Sequence, residues 1–200
     1  MPAIKFTKNE LKKQKDGLKR FERYLPTLQL KKQQLQMVIR SVEQQEREKR
    51  AAREAAKKRI EAWVELFGET GDIAGLVKIS RLETETGNIA GVDIPVFKAI
   101  EYEDISFDLF ETPLWFDAGV EALKKLIAFN EELKILQKQV ELLNQELRIT
   151  SQRVNLFEKV KIPETKNNIR KIRIYLGDQQ TAAVVRGKIA KKKIIVEKVS

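Results

Sequence analysis

Apolar residues recur every seven positions along two long stretches of the chain, and no other feature restricts the fold as much. In the first stretch Leu11, Leu18, Leu25, Ile39, Ile60 and Phe67 share one heptad position, and Phe21, Leu28, Leu35, Val42, Ala56 and Trp63 share the other. In the second, Leu126, Leu133, Val140, Leu147 and Val154 are seven apart, with Phe129, Leu136, Leu143 and Phe157 at the alternate position. Such a repeat is the seam of a coiled coil. A lone helix of roughly 60 residues, on the order of 90 Å long, has nothing to bury that seam against. The two stretches are therefore expected to pair with each other.

The second seam is not continuous. Beyond Phe157 the strict repeat falls on Lys161 and Asn168, whereas Ile162, Ile169, Ile172 and Leu176 form a seam displaced by one residue. The slip coincides with Pro163, in the middle of TSQRVNLFEKVKIPETKNNIRKI. A one-residue change of phase has to be absorbed by local unwinding or a kink, and proline supplies a site for either by removing a hydrogen bond and crowding the preceding turn. Two readings follow: the proline re-aims the apolar stripe and gives the helix a bending asymmetry, or it only fits the helix around a bulky core residue. Pro26 lies inside the first stretch, where a bend or break near Tyr24 and Leu25 is expected. Lys32, Glu46, Lys49 and Arg53 interrupt the first seam, so EQQEREKRAAREAAKKR should pack thinly through Ala51, Ala52, Ala55 and Ala56.

These patterns predict a first helix over 7–67, capped by Asn9 or Thr7 and ended by Gly68 with Gly71 behind it. A connector over 68–116 holds five of the nine glycines. Within it GLVKISRLE and GVDIPVFKAIEYEDI, separated by TETGN, predict a β-hairpin with strands near 76–84 and 92–102. The short repeat GDIAGL (71–76) and GNIAGV (87–92) marks two similar strand starts. A second long helix over 117–185, kinked near Pro163, leads to a basic tail over 186–200. The expected fold class is mainly α: a long two-helix antiparallel coiled coil with a small β-hairpin insertion between the helices.

Charge is segregated along the chain. Residues 1–60 carry 18 Lys and Arg against 7 Asp and Glu, residues 61–120 carry 3 against 13, and residues 121–200 carry 18 against 9. A chain folded back on itself then gathers one basic pole and one acidic pole. With no cysteine and no histidine, disulfides, thiol nucleophiles, Cys/His zinc sites and the usual general base near neutral pH are excluded. MPAIKFTKNELKK lacks an apolar signal core, and no stretch reaches the ~18 consecutive apolar residues of a membrane span, so an intracellular, soluble chain is expected.

No constellation for chemistry emerges. GDIAGLVKIS lacks the spacing of a phosphate-binding loop. The carboxylates of EYEDISFDLFE, residues 101–111, are of a type that does acid/base work or holds a metal, but a solvated acidic face or a protein contact is by far the simpler reading. The tail RGKIAKKKIIVEKVS has the charge to bind nucleic acid or an acidic membrane, yet no aromatic residue on which bases could stack, so a solvated or protein-docking tail is the simpler reading. Trp63 and Trp115 are expected to pack where the helices meet the connector.

RVNLFEKVKIPETKNNIRKIRIYL resembles the C-terminal signature of the D subunit, the central-stalk rotor shaft of V-type and A-type rotary ATPases. The matching residues are Arg153, Val154, Asn155, Glu158, Ile162, Pro163, Ile169, Ile172 and Leu176. FTKNELKKQKDGLKR is similar to the family's N-terminal segment, with Phe6 where proline is usual, and FETPLWFDAGVEAL to its acidic lead-in to the second helix. Gln152, Leu156, Phe157 and Pro26 depart from the pattern, as in a divergent bacterial branch.

The resemblance implies a non-catalytic shaft whose rotation couples ATP hydrolysis or synthesis in a catalytic hexamer to proton or sodium transport in the membrane sector. Its implied partners are the catalytic and regulatory subunits of the hexamer, the small F subunit of the stalk and a membrane-ring linker subunit. No cofactor, metal, direct nucleotide binding, nucleic acid or membrane insertion is implied, and the place is the cytoplasm, peripheral to the membrane. The termini would enter the hexamer, with Lys12, Lys13, Arg170, Lys171, Arg173, Arg186, Lys188, Lys191, Lys192 and Lys193 facing its acidic loops. The alternative is a basic coiled-coil scaffold or nucleic-acid-associated protein, in which the acidic connector is out of place.

Overall fold

The structure, a computed structural model, describes residues 4–61, 77–103 and 115–197. Helix α1 spans Lys8–Glu61, strands β1 and β2 span Ile79–Ile89 and Val92–Tyr102, and helix α2 spans Phe116–Asn155. A π-helical turn, Leu156–Lys161, joins α2 to helix α3, Ile162–Glu197. The chain is thus mainly helical, and among the described residues an antiparallel two-stranded sheet is inserted between its long helices. It divides into two compact units, one made of residues 31–149 and the other of residues 1–30 and 150–200.

In both units the helices run antiparallel. In the first, Lys31 pairs with Glu146 and Lys49 with Glu132, so rising numbers on α1 meet falling numbers on α2. In the second, Phe6 stacks on Tyr175, Phe21 on Phe157 and Glu22 pairs with Lys166. The heptad positions become the buried ones: Leu35, Ile39, Val42 and Ile60 on α1, Leu133, Leu143 and Val154 on α2, and Ile169 and Ile172 on α3. Two of the interrupting charges, Glu46 and Lys49, find partners at the seam. Lys49 reaches Glu132 at 2.5 Å, and Glu46 takes Arg50 at 2.7 Å and accepts a bond from Gln137 at 3.2 Å.

Thr7 supplies the N-terminal cap of α1, its hydroxyl accepting the Glu10 amide at 3.2 Å in a Thr-x-x-Glu arrangement. Of the bend or break expected near Tyr24 and Leu25, the break does not occur: α1 is unbroken through Pro26. Proline in a helix interior costs about 3 kcal/mol. Phe21, Leu25 and Leu28 sit half-buried on both sides of it, and their burial holds the helix through the lost hydrogen bond. The end expected at Phe67 to Gly71, with Trp63, lies outside the described residues, as does the GDIAGL segment.

The irregularity at Pro163 takes the form of the π turn. The Ile162 amide bonds the Phe157 carbonyl, five residues back, in place of the α-helical four. Such a turn holds one extra residue, which is the slip read in the sequence. Before it the seam buries Thr150 and Val154, and after it Thr165, Ile169 and Ile172. The position seven after Phe157 is Glu164, and the buried residue is Thr165 instead. Its hydroxyl donates to the Lys161 carbonyl at 2.6 Å, satisfying a polar side chain inside the seam. Beyond residue 185, where the second helix was expected to give way to a tail, α3 runs on to Glu197. Its Ala- and Lys-rich composition favours helix, and the lone Gly187 does not break it.

The hairpin turn falls later than predicted. β1 runs through TETGN to Ile89, and the two-residue loop is Ala90–Gly91, both with positive φ (53° and 75°), as a hairpin twisting with its strands requires. The Asn88 side chain accepts the Gly91 amide at 3.1 Å and donates to Asp93 at 2.6 Å, fixing that turn. Gly87, read as part of a turn, is a strand residue opposite Ile94, and a Cβ there would meet Val96 at 2.9 Å. GNIAGV thus holds the end of β1 and the turn, and leads into β2 at Val92.

The π turn and Pro163 make a reciprocal pair, which mutation should separate. Deleting the exposed Lys159 while keeping Pro163 puts the proline into a regular α turn and should cost about 3 kcal/mol. The same deletion combined with Pro163→Ala should be close to neutral, because the seam then continues without a slip. Urea unfolding followed by far-ultraviolet circular dichroism measures both; equal loss in the two variants would separate the turn from the proline.

Candidate functional site

Two surfaces stand out, one in each unit. In the unit of residues 31–149 the hairpin lies on the paired helices. Ile94, only 2% exposed, joins Leu35, Ile39, Val42 and Leu143 in one core, flanked by Ile89, Ala90 and Val92 from around the turn. At the other end of the hairpin Tyr102 packs with Val77, Phe116 and Val120, beside the half-buried Trp115. Its hydroxyl donates to the Lys124 carbonyl at 2.6 Å, and Lys124 Nζ stands 5.5 Å over its ring. Gln139 Nε2 donates to the Pro95 carbonyl at 2.5 Å. This gives α2 a second buried face, containing Ile135 and Gln139, that heptad counting does not reveal.

Where β2 turns from Ile94 to Phe97 the hairpin leaves a cavity of about 500 Å³ against α1 and α2, walled by Val96, Phe97, Phe129 and Ile135 with the Lys49–Glu132 pair at its side. Burial pushes the Tyr102 phenol above its ordinary pKa of 10.0, and the nearby Glu131 carboxylate adds to the effect. Of the carboxylates in 101–111, Glu101 and Glu103 are exposed, and the rest lie outside the described residues. Among the described residues no group of three acidic side chains is placed to hold a metal ion.

In the unit of residues 1–30 and 150–200 the surface is basic. Every residue singled out there is exposed: Lys12 and Lys13 on α1, and Arg170, Lys171, Arg173, Arg186, Lys188, Lys191, Lys192 and Lys193 on α3. Arg170 and Arg173 come together across an open groove of about 740 Å³ from Lys15 and Lys19, two residues that the charge pattern of the chain does not single out. Lys166 stands beside them, paired with Glu22 at 3.3 Å. Lys12, Lys13 and Lys171 do not line this groove, and Arg186 to Lys193 lie further along α3. The signal that would have found Lys15, Lys19 and Lys166 is helical spacing: Lys15 and Lys166 each stand three residues before a seam residue, Leu18 and Ile169, and Lys19 stands four after Lys15.

The signature residues divide by role. Val154, Ile169 and Ile172 are buried and Ile162 and Leu176 half-buried, all on the seam, whereas Arg153, Asn155, Glu158 and Pro163 face outward. From Gly177 to Ile194 only Ala182 is even partly shielded. Val184, Val185, Ile189 and Ile194 are about half exposed on this stretch. Among the described residues no helix is long and apolar enough to cross a membrane.

The sequence model of the family described as the D subunit of ATP synthase matches residues 10–192. The chain is 57% identical over 195 residues to the D subunit of the V-type ATP synthase of Borreliella burgdorferi, covering 98% of this chain and 96% of that one. It is 38% identical over 194 residues to the protein of the same name from Chlamydia muridarum, covering 96% of each. The relative from Chlamydia caviae is also 38% identical, over 96% of this chain and 93% of its own. The chain therefore belongs to the family of ATP synthase D subunits.

The hairpin should be held by few contacts. Ile94→Ala should cost about 2–5 kcal/mol in urea unfolding, whereas Val96→Ala, at an exposed site of the same strand, should cost less than about 1 kcal/mol. A raised phenol pKa means that the stability Tyr102 contributes is fully present below its ordinary 10.0 and is lost as pH rises through the folded value. Tyr102→Phe should accordingly flatten the alkaline fall of the urea midpoint; an unchanged alkaline slope would remove Tyr102 from that role.

Proposed function

We propose that this protein is the non-catalytic central rotor shaft of a V/A-type ATPase, coupling ATP hydrolysis or synthesis in a hexamer to ion transport in the membrane sector. The observation that carries this reading is the stretch of α3 from Gly177 to Ile194, a helix exposed on all sides with both apolar and basic residues on its surface. Most helical stability in proteins comes from tertiary packing of an apolar face, which this stretch lacks. Half-exposed valines and isoleucines beside five cations make sense for a helix that spends its working life inside another protein's cavity. Membership of the D-subunit family supports a complex with other ATPase subunits; in this reading the partners are the alternating catalytic and regulatory subunits of the hexamer, the small F subunit of the stalk and a membrane-ring linker subunit. The protein would then act in the cytoplasm, peripheral to the membrane.

In that role Arg186, Lys188, Lys191, Lys192 and Lys193, with Lys12, Lys13, Arg170, Lys171 and Arg173, face acidic loops of the hexamer. Contacts that are remade at every step need to be moderate, and exposed ion pairs of about 0–1 kcal/mol each, screened by salt, meet that need. Torsional stiffness comes from the paired helices and the seam buried between them in each unit. The π turn adds a local asymmetry beside Pro163, so different faces of the shaft need not present alike.

Copurification of the tagged chain from native cells at moderate salt, after nuclease treatment, should recover a nucleotide-binding hexamer and a small stalk protein. Reversing the charge of Lys191, Lys192 and Lys193 together should lower ATP-driven ion transport more than it lowers assembly. Recovery of nucleic-acid-binding proteins in place of the hexamer, or unchanged transport in an assembled triple variant, would sink this function.

A further inference from the structure

The two outer edges of the hairpin differ in kind. Its two-residue loop closes on a bonded pair, Ile89 with Val92, and bonded and unbonded pairs alternate from there along an antiparallel ladder. Gly87 with Ile94 and Glu85 with Val96 are then bonded pairs. Asn88 with Asp93, Thr86 with Pro95 and Thr84 with Phe97 turn their backbone groups away from each other, toward the outer edges. On β2 that edge is closed: Pro95 has no amide to offer, its carbonyl accepts Gln139 from α2, and the buried Ile94 beside it holds the strand against the helices. On β1 it is open. Thr84, Thr86 and Asn88 are exposed, and among the described residues no hydrogen bond reaches their outward amides and carbonyls. Proteins blunt an exposed strand edge with proline, lysine or a bulge. The register irregularities of β1 lie nearer its start, between Ile79 and Arg81 and between Glu83 and Thr84, and the strand runs regularly over 84–89 with neither proline nor lysine.

We propose that the edge of β1 over 84–88 takes an extended segment of a neighbouring ATPase subunit as a third strand, an inference that rests on the chain's place in an ATPase complex and not on rotation. The edge itself selects its occupant. Amide and carbonyl pairs recurring every second residue, about 7 Å apart at ~3.3 Å per residue, match another extended backbone, whereas a helix has already bonded its own. Charge then selects among strands. Glu85 is exposed, and among the described residues it has no ion-pair partner. It meets an added strand at an unbonded pair, where side chains come closest. A second copy of this chain fits poorly, because pairing Thr84 of one copy with Thr86 of the other sets the two Glu85 carboxylates opposite each other. The added segment carries Lys or Arg opposite Glu85, and β-branched residues beside Thr84 and Thr86.

Residue-resolved amide hydrogen exchange on the full chain, alone and in the assembled complex, tests the third strand. In the chain alone the Glu85 and Gly87 amides, bonded to β2, should exchange slowly and those of Thr84 and Thr86 fast. Assembly should slow Thr84 and Thr86 at least about tenfold. Thr86→Pro removes only an outward amide, so it should leave the urea midpoint of the chain alone unchanged and abolish the slowing at Thr84. Thr86→Val keeps the amide and should keep the slowing. A photo-crosslinking amino acid at Thr84 should capture, in the complex, a peptide of another subunit with Lys or Arg inside a β-branched run. Fast Thr84 and Thr86 amides in an assembled complex would overturn the proposal, as would slowing that survives Thr86→Pro. A crosslink to a second copy of this chain, or to a peptide without a basic residue, would do the same. If the chain assembles with no ATPase subunit, the reading of it as part of that complex falls, and the third strand with it.

Discussion

Mutual burial of two heptad seams is the constraint on which everything else in this structure rests. Neither long helix carries an apolar face wide enough to stand alone, and 34% charged residues leave little else to bury. The core within each unit is accordingly a line: Leu35, Ile39, Val42 and Leu143 in one, Val154, Ile169 and Ile172 in the other. A linear core tolerates charge only where the charge finds a partner across it, which is why Lys31 meets Glu146 and Lys49 meets Glu132. It also cannot tolerate a loss of phase, since a stripe that drifts off its partner exposes every apolar residue beyond that point. The π turn at Leu156–Lys161 restores the phase by holding one extra residue.

The hairpin depends on the same seam. A two-stranded sheet is marginal by itself in water, and this one is held at its turn by Ile94 and at its base by Tyr102. Between these points the fit loosens, leaving the cavity beside Phe97 and Phe129. Ala90 adopts a left-handed conformation at some conformational cost, offset by its packing against the core it helps to close. The strands thus borrow stability from the helices, and in return cover a face of α2 that would otherwise expose Ile135 and the apolar flank of Gln139.

For the proposed shaft, the division between seam and surface is what separates stability from function. The buried signature residues fix how α2 and α3 pair with α1, while the exposed cations of α3 are free to meet a partner. Such a separation lets the outer charges change without altering the pairing beneath them. It also explains why the strongest part of the family resemblance mixes apolar positions with outward ones such as Arg153, Asn155 and Glu158.

The pairing of two long antiparallel helices, the place and size of the phase slip and the second strand were all legible in the residues alone, because heptad spacing and strand alternation are local patterns that burial then enforces. The hairpin turn was not. TETGN looks like a turn, whereas Gly87 is there to let Val96 approach and the positive-φ loop falls on Ala90–Gly91. A bend or break was expected near Tyr24 and Leu25 because a proline's local cost is visible, while the seam burial that carries α1 unbroken through Pro26 is not. Three features needed the folded chain: the slip becomes a π turn, Gln139 and Ile135 face the hairpin, and Lys15, Lys19 and Lys166 join Arg170 and Arg173 around one groove. Residues so far apart in sequence as Lys15 and Lys166 share no pattern in the chain; they meet because the seams beneath them register two helices side by side.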